Sequence, residues 1–176
     1  MRRGPPMNLG KDFDDFVRCS SPRLLRTSYL LASDRGHAED LLQEALVRTA
    51  RHWRTARSAP EAYTRRIIVN LATDRWRARQ RRPPEVPFGE DAEVLDSRVS
   101  PDAGIGPDER QLIIGALRQL PYQQRAVAVL RYWDGASVAE TAALLGISEG
   151  TVKSYAARAI ARLRELLPDR IEAPPC

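Results

Sequence analysis

The sequence predicts an all-α protein made of two small helical domains joined by a flexible acidic linker, the second domain ending in a helix-turn-helix. Three observations predict it. Apolar residues recur at spacings of three and four through most of the chain, and no stretch alternates apolar and polar as a half-buried strand would. Residues 83–109 break that pattern with five of the thirteen prolines, three glycines and eight acids against the single Arg98, which is the composition of an extended, self-repelling linker. Residues 137–148 then carry the stop and start signals of two closely spaced helices.

Taken in order, residues 1–10 have no apolar period and are expected to be disordered, with Met7 as an alternative start. From Phe13 to Leu31, the positions Phe13, Phe16, Val17, Leu24, Leu25, Tyr29 and Leu30 predict two helices parted at Ser21 and Pro22, because proline removes a ladder hydrogen bond. A continuous stripe follows: Ala38, Leu41, Leu42, Ala45, Leu46, Thr49, Ala50 and Trp53. Its outer face shows Asp40, Gln43, Glu44, Val47, Arg48 and Arg51. Asp40 and Glu44, one turn apart, admit three readings: metal or acid–base chemistry, a solvated face, or a docking face for a partner protein. The first needs ligands converging from elsewhere, and the chain has only two histidines, His37 and His52.

Pro60 and Glu61 open the next predicted helix, with Tyr63, Ile67, Ile68, Leu71 and Ala72 inward and Arg66, Asn70, Thr73 and Arg77 outward. Arg75, Arg79, Arg81 and Arg82 surround Trp76. Cations interleaved with an aromatic suit a single nucleic-acid strand, whose bases stack while its phosphates meet guanidinium groups. The plainer alternative is a basic surface helix with Trp76 in the core. Beyond the linker, Glu109 to Leu120 is amphipathic through Leu112, Ile113, Ala116, Leu117 and Leu120. Pro121 interrupts it, and Gln123 to Trp133 forms another helix before a turn at Asp134 and Gly135.

Ser137 and Glu140 make a capping box, and Gly146 ends the helix that they start, since the chain reversal needs positive φ. Ala142 is small where two helices must cross closely, and Ile147, Val152 and Tyr155 fill the space between them. Ser148 caps the last helix, whose buried stripe is Val152, Ala156, Ala159, Ile160, Leu163, Leu166 and Leu167. Its other face carries Glu149, Thr151, Lys153, Ser154, Arg158 and Arg162, beside a helix N-terminus suited to phosphate. A helical hairpin with solvated charges shares some of these features. The agreement in register of the small residue, the glycine, both serines and the interior valine favours a helix-turn-helix whose second helix enters the major groove. The tail from residue 169 is expected to fray.

Charge is segregated along the chain. Residues 1–82 hold 18 Lys/Arg against 9 Asp/Glu, net +9; residues 83–109 hold 1 against 8, net −7; residues 110–176 hold 9 against 6, net +3. Two basic blocks around an acidic one point to a polyanion met by both ends. The preference for arginine, with Lys11 and Lys153 the only lysines, is explained at least as well by a GC-rich genome. Cys19 and Cys176 fit no metal spacing. No apolar run approaches a membrane span, and the first ten residues lack a signal-peptide core, so a soluble cytoplasmic protein is expected.

Together these features resemble the extracytoplasmic-function sigma factors, the small two-domain class of bacterial RNA polymerase initiation factors. The resemblance covers about residues 11–167. AEDLLQEALVRTARHW is similar to the family's polymerase-binding helix, RRIIVNLATDRWRAR to its promoter-melting helix, and LPYQQRAVAVLRYWDGASVAETAALLGISEGTVKS to its fourth conserved region. The resemblance implies a first domain at 11–82, the linker at 83–109 and a second domain at 110–168. It implies that Asp40, Gln43, Glu44, Val47 and Arg48 face the clamp helices of the polymerase largest subunit. Arg66, Asn70, Thr73, Asp74 and Arg77 would meet the opened promoter strand, where the family flips out a base. Ser148, Glu149, Thr151, Lys153, Ser154 and Arg158 would meet the upstream element as duplex. It further implies contact with the polymerase β flap, an anti-sigma partner, no cofactor or metal, no small-molecule substrate, no membrane insertion and no active site of its own. Tyr155 stands where the family often has arginine, and Tyr63 where tryptophan is common. The linker's acids would mimic nucleic acid in the polymerase channel. The competing readings are a stand-alone helix-turn-helix regulator, and a nuclease using Asp40 and Glu44 as metal ligands.

Overall fold

In the computed structural model, which describes residues 10–81 and 107–167, every element is helical. The first module is α1 (Gly10–Ala32), α2 (Arg35–Arg51), the single turn α3 (Trp53–Ala56) and α4 (Pro60–Arg81). Helix α1 runs unbroken through Pro22, against the predicted pair of helices. An interior proline costs a helix about 3 kcal/mol. Phe16 on one side of Pro22 and Leu24, Tyr29 and Leu31 on the other are all buried in one core, and that burial outweighs the lost bond. The reversal into α2 takes two residues. Ser33 adopts positive φ and its amide closes on the Tyr29 carbonyl, while Asp34 caps α2 by accepting from the His37 amide at 2.7 Å.

The core of this module lies between α1, α2 and α4, around Leu24, Leu31, Leu41 and Ile68, each at most 1% exposed. Full burial of such a side chain contributes about 1.5–3 kcal/mol. Phe13, Phe16 and Trp53 cluster with ring centroids 5.0 to 6.1 Å apart. Where α2 crosses α4, the hydroxyls of Thr49 and Thr64 share a 2.9 Å hydrogen bond, and each also bonds a carbonyl one turn back in its own helix. A polar pair is tolerated at a buried crossing because neither oxygen is left unpaired.

The second module is α5 (Pro107–Arg118), α6 (Tyr122–Ala128) running on as a π-helical turn (Val129–Trp133), α7 (Val138–Leu145) and α8 (Glu149–Leu166). Residues 1–9, 82–106 and 168–176 lie outside the described residues, and with them most of the predicted N-terminal segment, linker positions 83–106 and the predicted tail. Its last three positions, 107–109, are the first turn of α5. On α5 the buried face includes Ile114, whereas Leu112, predicted to face inward, is 55% exposed, because α1 and α8 cover a different arc of the helix. Val127, Leu130, Val152 and Ala159 are fully buried, at the centre of this module where α6 meets α8.

The modules also meet each other, a contact not foreseen in the residue pattern. Helix α1 touches α5, α6 and the π turn, and α4 touches α7, so that buried apolar residues run continuously from one module into the other.

Candidate nucleic-acid interface

Three exposed surfaces carry the residues singled out above. On α2, Asp40, Gln43, Glu44, Val47 and Arg48 are all exposed, Val47 by 51%. Glu44 pairs with Arg48 one turn on at 2.8 Å, and Asp40 lies 3.8 Å from Arg75 of α4. The two carboxylates are thus each turned to an arginine. The result is a mixed-charge face with an apolar centre.

On α4, Arg66, Asn70, Asp74 and Arg77 are exposed, with Asp74 and Arg77 loosely paired at 4.0 Å. Thr73 is not: it is 9% exposed and shares a 3.2 Å hydrogen bond with the Tyr122 hydroxyl. The outward placement predicted for Thr73 is correct for the helix alone and fails because α6 covers that position. Trp76 is half-buried, and its ring stacks on Tyr122 with centroids 5.0 Å apart and planes 14° off parallel. Arg66 lines a cavity of about 310 Å³ together with Glu140, Ala143 and Leu144 of α7. Arg75 and Arg79 gather at His37, Arg75 donating to its carbonyl at 3.4 Å and Arg79 approaching its ring at 3.3 Å.

The helix-turn-helix forms as its residues require. The Ser137 hydroxyl accepts from the Glu140 amide at 3.1 Å, and the Glu140 carboxylate takes the Ser137 amide at 2.7 Å. That second bond holds the Glu140 carboxyl below its ordinary pKa. Gly146 sits at φ +65°, ψ +38°. Ser148 accepts from the Thr151 amide at 3.1 Å, and the two hydroxyls bond at 2.8 Å. Ser148 and half-buried Thr151 therefore build the start of α8, and Glu149, Lys153, Ser154 and Arg158 stand exposed along it. Tyr155 turns inward and its hydroxyl donates to Gln123 at 2.7 Å, so this tyrosine ties α8 to α6.

Several residues between the modules had no sequence signal. Thr27 donates to Asp134 at 2.9 Å, and Arg65 stands 3.5 Å from the other carboxylate oxygen, too far for a hydrogen bond. Burial pushes the Asp134 carboxyl above its ordinary pKa, with Arg65 and Thr27 pulling the other way. Arg118 donates to the Tyr29 hydroxyl at 2.6 Å, Arg125 donates to the Leu31 carbonyl at 3.1 Å, and Arg26 lies over the Trp133 ring. Each is an ordinary polar or aromatic residue on its own helix, and nothing local distinguishes it from a solvated one.

Comparison with known proteins adds to this geometry. The family model for Sigma-70 region 2 matches residues 16–82, and that for Sigma-70, region 4 matches residues 110–163. RNA polymerase sigma-E factor of Streptomyces coelicolor is 43% identical over 161 residues, spanning 90% of this chain and 88% of that protein. ECF RNA polymerase sigma factor SigM of Mycobacterium tuberculosis is 36% identical over 157 residues, spanning 88% and 76%. Among solved structures, the sigma factor RpoE of Bartonella quintana, in complex with the anti-sigma factor NepR, superposes with a TM-score of 0.67 at 29% identity, over 92% of this chain and 100% of that one.

Proposed function

Since the chain belongs to the extracytoplasmic-function group of sigma-70-family RNA polymerase sigma factors, we propose that it binds core RNA polymerase and directs promoter recognition, melting and initiation through three separate surfaces. The observation that carries this is the coexistence on one chain of a capped helix-turn-helix with an exposed polar recognition face and a second helical module with an exposed arginine-rich helix. Duplex is read by a helix in the major groove, whereas an opened strand needs stacking surfaces and cations.

The polymerase surface is the face of α2 with Asp40, Gln43, Glu44, Val47 and Arg48, whose apolar centre and charged rim suit a protein partner. Arg66, Asn70, Asp74 and Arg77 of α4 take the opened strand, whereas Thr73 is engaged by Tyr122. Glu149, Lys153, Ser154 and Arg158 read duplex, while Ser148 and Thr151 fix the α8 N-terminus, whose amides suit a phosphate. The domains divide at 11–82 and 110–168, with the acidic segment between them. The protein performs no chemistry of its own and works in the cytoplasm. Among the described residues no helix is long and apolar enough to cross a membrane. The RpoE–NepR complex supports an anti-sigma partner here too.

The test is charge reversal, Asp40→Lys with Glu44→Lys. Both side chains are exposed and their ion pairs are worth at most about 1 kcal/mol, so helix content and melting should hold while co-elution with core polymerase falls. Unchanged assembly would remove this face from the interface. Mapping transcript starts with the reconstituted holoenzyme then identifies the promoter.

A further inference from the structure

We propose that a small cavity lined by α2, α4 and α6 is a phosphate site, in which Arg75, Arg79 and Arg125, beside His37, hold a terminal phosphate: the inorganic ion or a phosphomonoester. The first ground is uncompensated charge. Arg125 of α6 is half-buried; its guanidinium donates to the Leu31 carbonyl at 3.1 Å and lies over the Tyr122 ring, while its buried Nε has no partner. Burial holds this guanidinium below its ordinary pKa, Tyr122 pulls the other way, and the charges of Arg118 and Arg79 push it down further, with no described carboxylate to offset them. Arg79 of α4 touches only the His37 ring among the described residues, at 3.3 Å, and Arg75 reaches the His37 carbonyl at 3.4 Å with Asp40 3.8 Å away. Cations gathered without an acid between them are costly to hold together, and an oxyanion matched to the guanidinium fork removes that cost.

The second ground is the size of the space. His37 and the three arginines line a cavity of about 60 Å³ whose remaining wall is aliphatic and aromatic, including Trp76 and Tyr122. A water needs about 10–15 Å³ of such space, so about four to six heavy atoms fit, which is the size of a tetrahedral oxyanion. Trp76 and Tyr122 stack on each other, so the ring faces between them are closed to a base. A phosphate inside a strand carries a sugar on each side and does not fit so small a space, whereas a terminal phosphate needs only one open direction. The acids nearby are turned outward. Asp34, 2.9 Å from the His37 ring, and Asp40 are both exposed, and neither lines the cavity. The site stands apart from Arg66, Asn70, Asp74 and Arg77, and does not depend on the sigma-factor assignment.

The experiment is equilibrium dialysis of the full chain against radiolabelled inorganic phosphate, with thermal melting in phosphate and in chloride at matched ionic strength. One phosphate should bind per chain, and a tenfold excess over its dissociation constant should raise the melting temperature by about 3–6 °C. Arg125→Gln and Arg79→Gln should each weaken binding about tenfold or more, since each removes a charge-assisted hydrogen bond. Arg54→Gln, an exposed arginine of α3, should leave it unchanged. Arg125 also ties α6 to α1 through Leu31, so Arg79→Gln, whose side chain is exposed, carries the test if Arg125→Gln melts early. Displacement by glycerol 3-phosphate identifies a phosphomonoester as ligand, and binding without that displacement assigns the free ion; either supports the site. Absence of bound phosphate at millimolar concentration, equal binding by Arg79→Gln and the parent, or displacement by a single-stranded oligonucleotide lacking terminal phosphates would each overturn it, the last by giving the arginines to a strand backbone.

Discussion

Replacing Gly146 by alanine isolates the conformational cost of the turn between α7 and α8. Gly146 has φ +65°, and a β-carbon built there meets nothing within 4 Å, so the substitution introduces strain without a clash. A non-glycine residue in the left-handed region costs about 1–2 kcal/mol, partly offset by about 0.4–1 kcal/mol from the restricted unfolded chain. A net loss of about 1 kcal/mol is expected, or a melting shift of about 2–4 °C for a chain of this size. Gly115 is the control. It lies exposed within α5 with open space around it and no positive φ, so alanine there should stabilise by about 0.5–1 kcal/mol. Urea unfolding followed by far-ultraviolet circular dichroism measures both, and Gly146→Asn should fall between glycine and alanine because asparagine tolerates this region. If Gly146→Ala is as stable as the parent, or if both alanines destabilise alike, strain at the turn is not what the glycine relieves.

Further outcomes follow from individual side chains. Ile68→Ala empties a fully buried site at the centre of the first module and should cost about 2–5 kcal/mol by urea midpoint, whereas Leu112→Ala on the open face of α5 should stay within about 0.5 kcal/mol of the parent. Asp134 gives a pH dependence of unusual sign. Its folded pKa lies above the ordinary 3.8, chiefly through burial, against opposing pulls from Arg65, Thr27 and Arg23 and a reinforcing push from Glu61. Its contribution to stability is therefore fully present below 3.8 and is lost as pH rises through the folded value. Asp134→Asn, which keeps an acceptor for Thr27, should be more stable than the parent at neutral pH, with the gap closing as pH falls. A variant less stable at neutral pH would mean that the 3.5 Å pair with Arg65 outweighs the cost of burial. Asp34 runs the other way: its carboxyl is held below 3.8 by the His37 amide, so its contribution is present above 3.8 and is lost as pH falls through the folded value.

The sequence by itself determined the helices, most of their boundaries and which side of each is apolar. Those are short-range properties: a stripe at spacings of three and four, a serine three residues before a glutamate, a glycine where φ turns positive. The helix-turn-helix and the outer face of α2 were legible for that reason, down to the individual side chains. Local rules failed where a distant element intervened. Pro22 was read as a break because the rule for proline is local, and the core that spans it draws on α2 and α4. Thr73 and Leu112 were placed on the wrong side because periodicity says which face of a helix is apolar but not what lies against it. Only the tertiary structure brought Thr27 to Asp134, 107 residues away, and Tyr122 to Trp76. Such pairings depend on how whole helices are stacked, and a polar side chain carries the same local signature whether it ends in water or in a seam.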